Sequence, residues 1–248
     1  MMLWWKAWME TRWRLVFVLA CVAFLWAEGP LFGVPLAKLK LVFLFQYALV
    51  WAFAATMLAG AGLNSQTTWG MSAGYHGSML FTLSLPVARR RLFAVRAAAG
   101  AVETCALIVV SAVPLVRFFG LSWSTASLYV AGACVCSMAA YAISALFACV
   151  TGEMWQLYGS WGALGALGLS MRYAPLARFN PLRGFLLSAY TTAVHPHVTA
   201  ASLPVPLVRE PLQSAFASAP WIDAWLGSAL LAVLCCFAAV RILDRKEY

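Results

Sequence analysis

Long apolar runs separated by short polar or charged stretches dominate this chain. Runs without interior charges predict six helices that cross a bilayer, since one crossing takes about 20 apolar residues. The predicted spans cover residues 15–34, 41–63, 95–116, 125–150, 155–171 and 222–240. The pattern therefore predicts an all-α integral membrane protein that forms a single domain over residues 1–248.

Residues 1–14 are predicted to form an interfacial helix that lies on the membrane surface. Tryptophans, among them Trp4, Trp8 and Trp13, share one half of a helical wheel together with Arg12. The other charged residues, Lys6, Glu10 and Arg14, lie on the other half. No small-residue cleavage site follows the first apolar run, which predicts a retained first span and not a signal peptide.

Composition supports the bilayer as the solvent. The 248 residues are 64% hydrophobic and only 10% charged, whereas a soluble domain carries about 25% charged residues. The net charge is +9, but the basic residues cluster at the ends of the apolar runs, which favours membrane orientation over nucleic-acid binding. Their distribution predicts that both termini are cytoplasmic. We expect a multi-pass protein of the cytoplasmic membrane of a bacterium.

Motifs for chemistry within this chain are missing from the sequence. It has no Gly-x-x-x-x-Gly-Lys-Ser/Thr phosphate loop, no Gly-x-Ser-x-Gly elbow and no His-Glu-x-x-His zinc motif. Its seven cysteines lie in or beside apolar runs, where they are predicted to be buried hydrophobic residues and not metal ligands. We therefore expect no catalytic residue, no metal site and no cofactor in this chain.

The segment 64–94, between spans two and three, carries the clearest functional pattern. No charged residue occurs from Leu41 to Ala88, and Pro86 is predicted to end a short surface helix over residues 71–85. A block of three arginines then precedes the third span. The arginines fit a positive-inside anchor, and the same segment also fits a docking helix for a cytoplasmic partner.

This segment resembles the cytoplasmic coupling loop in the membrane subunits of type-2 ABC exporters, which carry a Gly-Thr…Leu-x-x-Pro-Val-Ser-Arg pattern. The residues that carry the resemblance are Gly77, Ser78, Leu83, Leu85, Pro86, Arg89, Arg90, Arg91, Arg96 and Glu103. Ser78 stands where relatives have threonine, Ala88 where they have serine, and the usual acids before the glycine are missing. The order of a surface helix, six spans and a long loop before the last span is also similar.

The resemblance implies a permease subunit that forms a transport path and exports a substrate. A second permease subunit, most simply an identical copy, would pair with it in the bilayer. Two separate ABC ATPase subunits would bind ATP and magnesium and dock on the coupling loop. Glu153, in the inner turn before the fifth span, resembles the smaller second ATPase contact of the family, and it equally fits a solvated turn acid.

Glu103 is the acid predicted to lie deepest in the membrane. It falls eight residues after Val95, or about 12 Å along a helix, and a carboxyl at that depth faces protein or a wet cavity. A hydrogen bond to another helix, or a pair with Arg96 two turns earlier, gives it a structural role, which we favour. A role in a substrate or ion pathway is the functional alternative.

Two further segments leave alternatives open. Residues 172–220 form a long extracytoplasmic loop, and Leu182 to Thr192 is apolar enough for a short helix in it. The fifth span carries a stripe of four glycines at helical spacing. Such small residues fit close packing within one subunit or an interface between two subunits. The stripe consists of Gly159, Gly162, Gly165 and Gly168.

Two other functions remain open from the sequence. A membrane-embedded enzyme acting on lipid would need a converging polar cluster, for example Glu103 and His76 with a serine. A membrane assembly factor that does not transport would need neither a central path nor an ATPase. The docking-like loop favours the permease over both.

Overall fold

A computed structural model describes residues 2–32, 40–59, 89–119, 122–151, 153–170, 173–185 and 221–245. These residues are almost entirely helical and contain no β-strand, which confirms the all-α fold class for this part of the chain. The long helices are α1 (Met2–Phe32), α2 (Lys40–Leu58), α3 (Arg89–Phe119), α4 (Trp123–Val150), α5 (Glu153–Ser170) and α6 (Trp221–Arg245). Short helical turns over Ala174–Ala177 and 181–185 follow α5.

Three of these helices are long and apolar enough to cross a membrane, as judged over the described residues. The apolar stretches are Arg90–Pro114 in α3, Ala126–Val150 in α4 and Ile222–Arg245 in α6. Helix α2 contributes a shorter apolar stretch, Gln46–Leu58. These helices indicate a membrane protein, while six spans and two cytoplasmic termini stay predictions.

Two predicted boundaries differ from the structure. Residues 2–14 are not a separate helix, because they continue without a break into the rest of α1. Helix α3 begins at Arg89 and not at Val95, so the last residues of the predicted loop 64–94 are helical. Arginine is a good helix former and extends its charged head away from apolar surroundings, so the arginine block prolongs the helix instead of ending it.

Helix α4 lies at the centre of the bundle. Its apolar stretch is 67% buried, compared with 22% for that of α6. Small residues allow neighbouring helices to approach it closely. At Gly132, a Cβ atom would lie 2.8 Å from the ring of Trp225 on α6, so the space for a side chain is already filled.

Aromatic packing joins α2, α3 and α4 in one half of the bundle. The ring of Trp51 lies 5.3 Å from that of Tyr129 and 5.7 Å from that of Tyr47, measured between ring centroids. Its indole Nε1 donates a 2.8 Å hydrogen bond to Ser111 Oγ on α3. The buried polar atom of the tryptophan thus has the partner that burial requires.

The described part of the predicted outer loop folds onto the ends of α5 and α6. Asn180 Oδ1 accepts a 2.8 Å hydrogen bond from the backbone N–H of Leu182, and Pro181 occupies the first helical position. Arg178 Nε bonds Asp223 Oδ2 at 2.7 Å. The helical turn over 181–185 falls within the predicted helix at Leu182 to Thr192, whose remaining residues lie outside the described part.

Candidate functional site

One end of the bundle collects the helix ends that flank the predicted coupling loop. We call it the Arg90 end and define it by Ala59, Arg90, Thr151 and Asp244. Here α2, α4 and α6 end while α3 and α5 begin. A buried cluster packs Phe93 of α3 against the last turns of α4 and α6. The two chain segments that bound residues 60–88 therefore meet the turn before Glu153 at one place.

Gln156 of α5 closes the C-terminal end of α2. Its Nε2 donates a 2.7 Å hydrogen bond to the carbonyl of Ala59 and a 3.0 Å hydrogen bond to Ser144 Oγ. Ser144 in turn donates a 3.0 Å hydrogen bond to the carbonyl of Thr56. The last carbonyls of a helix lack partners within it, and here side chains of α4 and α5 supply the donors. We call Gln156, Ser144 and the α2 carbonyls that they bind the α2 cap.

A basic side chain of α1 also binds the end of α2. Arg14 Nη1 donates a 2.9 Å hydrogen bond to the carbonyl of Met57. A cation near a helix C-terminus is favourable because the carbonyl dipoles point toward it. Three helices thus fix the last turn of α2, directly before the chain enters the predicted loop.

The predicted docking residues are only partly within the described chain. Of the arginine block, Arg90 binds Asp244 of α6, with a shortest distance of 2.7 Å between Nη2 and Oδ2. Arg91 is exposed at the same end of α3. Arg89 and Glu153 are the first residues of their helices, and their side chains are not described. Five more lie outside the described residues: Gly77, Ser78, Leu83, Leu85 and Pro86.

Glu103 binds α1. Thr11 Oγ1 donates a 2.6 Å hydrogen bond to Glu103 Oε1, while Oε2 is buried and accepts no hydrogen bond from the described residues. Glu103 therefore makes a hydrogen bond to another helix, and the donor is Thr11. Arg96 lies buried on the same helix. Counted from Arg89, the first residue of α3, Glu103 lies about 21 Å along the helix.

The carboxyl of Glu103 lines an apolar groove between α1 and α3. The groove has a volume of about 580 Å³ and ten lining residues, and Glu103 is the one charged residue among them. Trp4 and Trp8 lie at the N-terminal part of the α1 wall, and both are partly exposed.

The glycines of α5 face in different directions. At Gly159 a Cβ atom would lie 2.7 Å from the ring of Phe147 on α4, so this glycine serves packing within the chain. Around Gly162 and Gly165 no atom of the described residues lies within 4 Å of such a Cβ. The stripe thus has a closed part and an open part, and the open part is available to a second subunit.

No group of three or more histidine, cysteine or acidic side chains among the described residues is arranged to hold a metal ion. His76, which the enzyme hypothesis pairs with Glu103, lies outside the described part.

At the opposite end of the bundle, burial lowers the pKa of Arg183, and the nearby charge of Asp223 partly offsets this effect.

Three residues of these sites were not found by sequence reasoning: Thr11, Ser144 and Gln156. Threonine and serine are common in membrane helices, and a glutamine at the start of an apolar run carries no partner information. Their polar character within apolar runs was the sequence signal that could have identified them, because buried polar groups almost always find hydrogen-bond partners.

No known family model, curated protein or solved structure matches this chain.

Proposed function

We propose that this protein is the transmembrane subunit of an ATP-binding-cassette transporter, with the export direction of the type-2 family that its loop resembles. It forms part of the substrate path and couples to a separate ATPase subunit that binds ATP and magnesium. The observation that carries this proposal is the convergence at the Arg90 end. The flanks of the predicted coupling loop and the turn before Glu153 meet there, as a shared ATPase docking surface requires.

The α2 cap supports the proposal mechanically. A loop transmits force into a bundle only if its base is fixed to the helices that must move. Gln156 and Ser144 tie the base of the loop at Ala59 and Thr56 to α5 and α4. An ATPase that pushes the loop therefore moves three helices together, in the rigid-body manner of transporter switching.

The pairing of two permease subunits is supported by the open part of the α5 stripe. Gly162 and Gly165 leave backbone accessible, and exposed large side chains, Trp161 and Leu169, lie beside them. Small residues next to large ones allow two helices to pack closely in lipid. A homodimer through this face is part of the proposed assembly, with two ATPase subunits at the Arg90 end.

Co-purification in mild detergent tests the proposed partner. The tagged chain is isolated from its native membranes, and bound proteins are identified by mass. The matched variant replaces Leu85, Pro86 and Arg89 to Arg91, with membrane insertion checked for both forms. An ABC ATPase recovered with the wild type and lost with the variant supports the permease. Stable insertion without any ATPase contradicts it and favours an enzyme or an assembly factor.

A further inference from the structure

The groove between α1 and α3 is lined mainly by apolar side chains. Its walls are apolar, with Leu15 and Leu19 on α1 facing Leu107 and Val110 on α3. Leu19 and Val110 are also exposed at the rim. In a bilayer such a surface faces hydrocarbon, so an alkyl chain can enter sideways from the lipid.

Charge selects the kind of head group. Among the described residues, the lining contains one carboxyl, that of Glu103, and no basic side chain. Three arginines of α1 and α3 lie outside this lining: Arg14 binds the carbonyl of Met57, Arg12 lies over the ring of Trp13 at 5.5 Å, and Arg96 is buried two turns before Glu103 on α3. An acid in apolar surroundings attracts a cation strongly, because little water screens the charge.

The hydrogen bonds of Glu103 leave one position open. Thr11 holds Oε1 at 2.6 Å, which fixes the carboxyl against α1. Oε2 accepts no hydrogen bond from the described residues although it is buried. Buried acceptors without donors are rare and costly. An ammonium group beside the carboxyl supplies the missing donor after a small rotation of the side chain.

Aromatic rings add a second attraction for a cation. Trp4 and Trp8 line the same groove as Glu103 and expose about half of their surface, 49% and 42%. Tryptophan is the side chain whose ring face attracts cations best. A groove lined by one carboxyl, two tryptophans and otherwise apolar side chains matches a molecule with one ammonium group and one long alkyl chain.

We infer that this groove binds amphiphilic organic amines, with the ammonium group at Glu103 and the alkyl chain between α1 and α3. Such binding needs no ATPase, so it goes beyond the proposed transport function and stands or falls separately from it.

Equilibrium binding to the purified full chain tests this site. The chain is placed in nanodiscs of phosphatidylcholine, and saturable binding of labelled dodecylamine is measured against empty nanodiscs. Unlabelled dodecylamine, dodecanol and dodecanoate then compete, since they share one chain length and differ in charge. We expect dodecylamine to compete at least about tenfold better than the other two, the effect of one charged hydrogen bond.

Variants distinguish the contribution of the Glu103 carboxyl to binding from that of the rest of the groove. Glu103→Gln keeps the shape and an oxygen for Thr11 but removes the charge, and it should weaken dodecylamine binding about tenfold while leaving dodecanol unchanged. Trp8→Leu should weaken amine binding about two- to fivefold. Asp244→Asn, which removes an acid outside the groove lining, should bind like the wild type.

Several results would overturn the inference. Equal competition by dodecylamine and dodecanol would mean an apolar groove without charge selection, and preference for dodecanoate would mean that a basic group dominates. Binding that does not saturate above empty nanodiscs would mean partition into lipid only. Unchanged amine affinity in Glu103→Gln would also refute it. If that variant does not fold, the competition series on the wild type decides alone.

Discussion

The hydroxyl of Thr11 and the carboxyl of Glu103 join α1 to α3 through a hydrogen bond of 2.6 Å between residues 92 positions apart in sequence. Ala7 and Thr11 are buried, while Trp4, Trp5 and Trp13 are exposed. The N-terminal part of α1 therefore packs one face on the bundle and presents its tryptophans outward. This geometry makes it a structural part of the protein as well as a candidate interfacial helix.

Removing the donor of this pair should destabilise the protein. Thr11→Val keeps the shape of the side chain but leaves the buried carboxyl without its hydrogen bond, at a cost of about 1–3 kcal/mol. Thermal unfolding in nonionic detergent should show a melting temperature lowered by several degrees. Thr11→Ser keeps the hydroxyl and is the control. A loss of stability in Thr11→Ser but not in Thr11→Val would show that the methyl group matters and not the hydrogen bond.

The α2 cap should behave as one unit. Gln156→Leu leaves the buried carbonyl of Ala59 without a donor and should cost about 1–3 kcal/mol of the free energy of unfolding. Ser144→Ala removes the second member of the network. Because Gln156 binds both Ser144 and Ala59, the double variant should lose less than the sum of the two single losses. Additive losses, measured by thermal unfolding of all four proteins, would contradict a shared network.

The ion pair between Arg90 and Asp244 should contribute little to stability. The Arg90 side chain is 70% exposed and that of Asp244 is 27% exposed, and water screens the attraction within exposed ion pairs, which therefore contribute little to stability. Arg90→Ala and Asp244→Ala should each leave the melting temperature nearly unchanged. Under the proposed function, only the arginine variant lowers ATPase co-purification. A large stability loss in both variants would instead assign Arg90 a structural role.

Two glycines of α5 should respond differently to the same substitution. Gly159→Leu collides with Phe147 and should lower stability by about 1–3 kcal/mol, the usual cost of overpacking. Gly165→Leu enters open space and should leave the melting temperature of the subunit unchanged. If the open face forms the proposed homodimer, Gly165→Leu should shift the particle mass from dimer to monomer in light scattering. An unchanged dimer would show that the two subunits contact each other through a different surface.

The lengths of the charge-free runs predicted the positions of the long helices, because a helix that crosses a bilayer needs an apolar run of about 20 residues. The predicted limits 125–150 and 155–171 lie close to Trp123–Val150 and Glu153–Ser170. The start of α3 was placed too late because the arginine block was assigned to the loop, although arginine also extends helices. A block of charged residues beside an apolar run therefore need not lie outside the helix.

The partners of the buried polar groups could not be predicted from the sequence. Glu103 was recognised as a deep acid, but its partner depends on which face of α1 packs on α3. The tryptophans suggested that the amphipathic face would meet lipid, whereas Thr11 between them meets protein. Gln156 was overlooked because its role depends on the position of the last turn of α2, nearly 100 residues earlier in the chain.

Site-specific photocrosslinking tests the central claim, docking of an ATPase at the Arg90 end, most directly. A photoreactive amino acid replaces Leu85 in one protein, Glu153 in a second and Trp123 in a third, and the cells are irradiated before purification. Trp123 is 82% exposed and begins α4 at the opposite end of the bundle. We predict that one ABC ATPase is captured from positions 85 and 153 and not from position 123. Capture of no ATPase from 85 or 153, or equal capture from all three positions, would contradict the account.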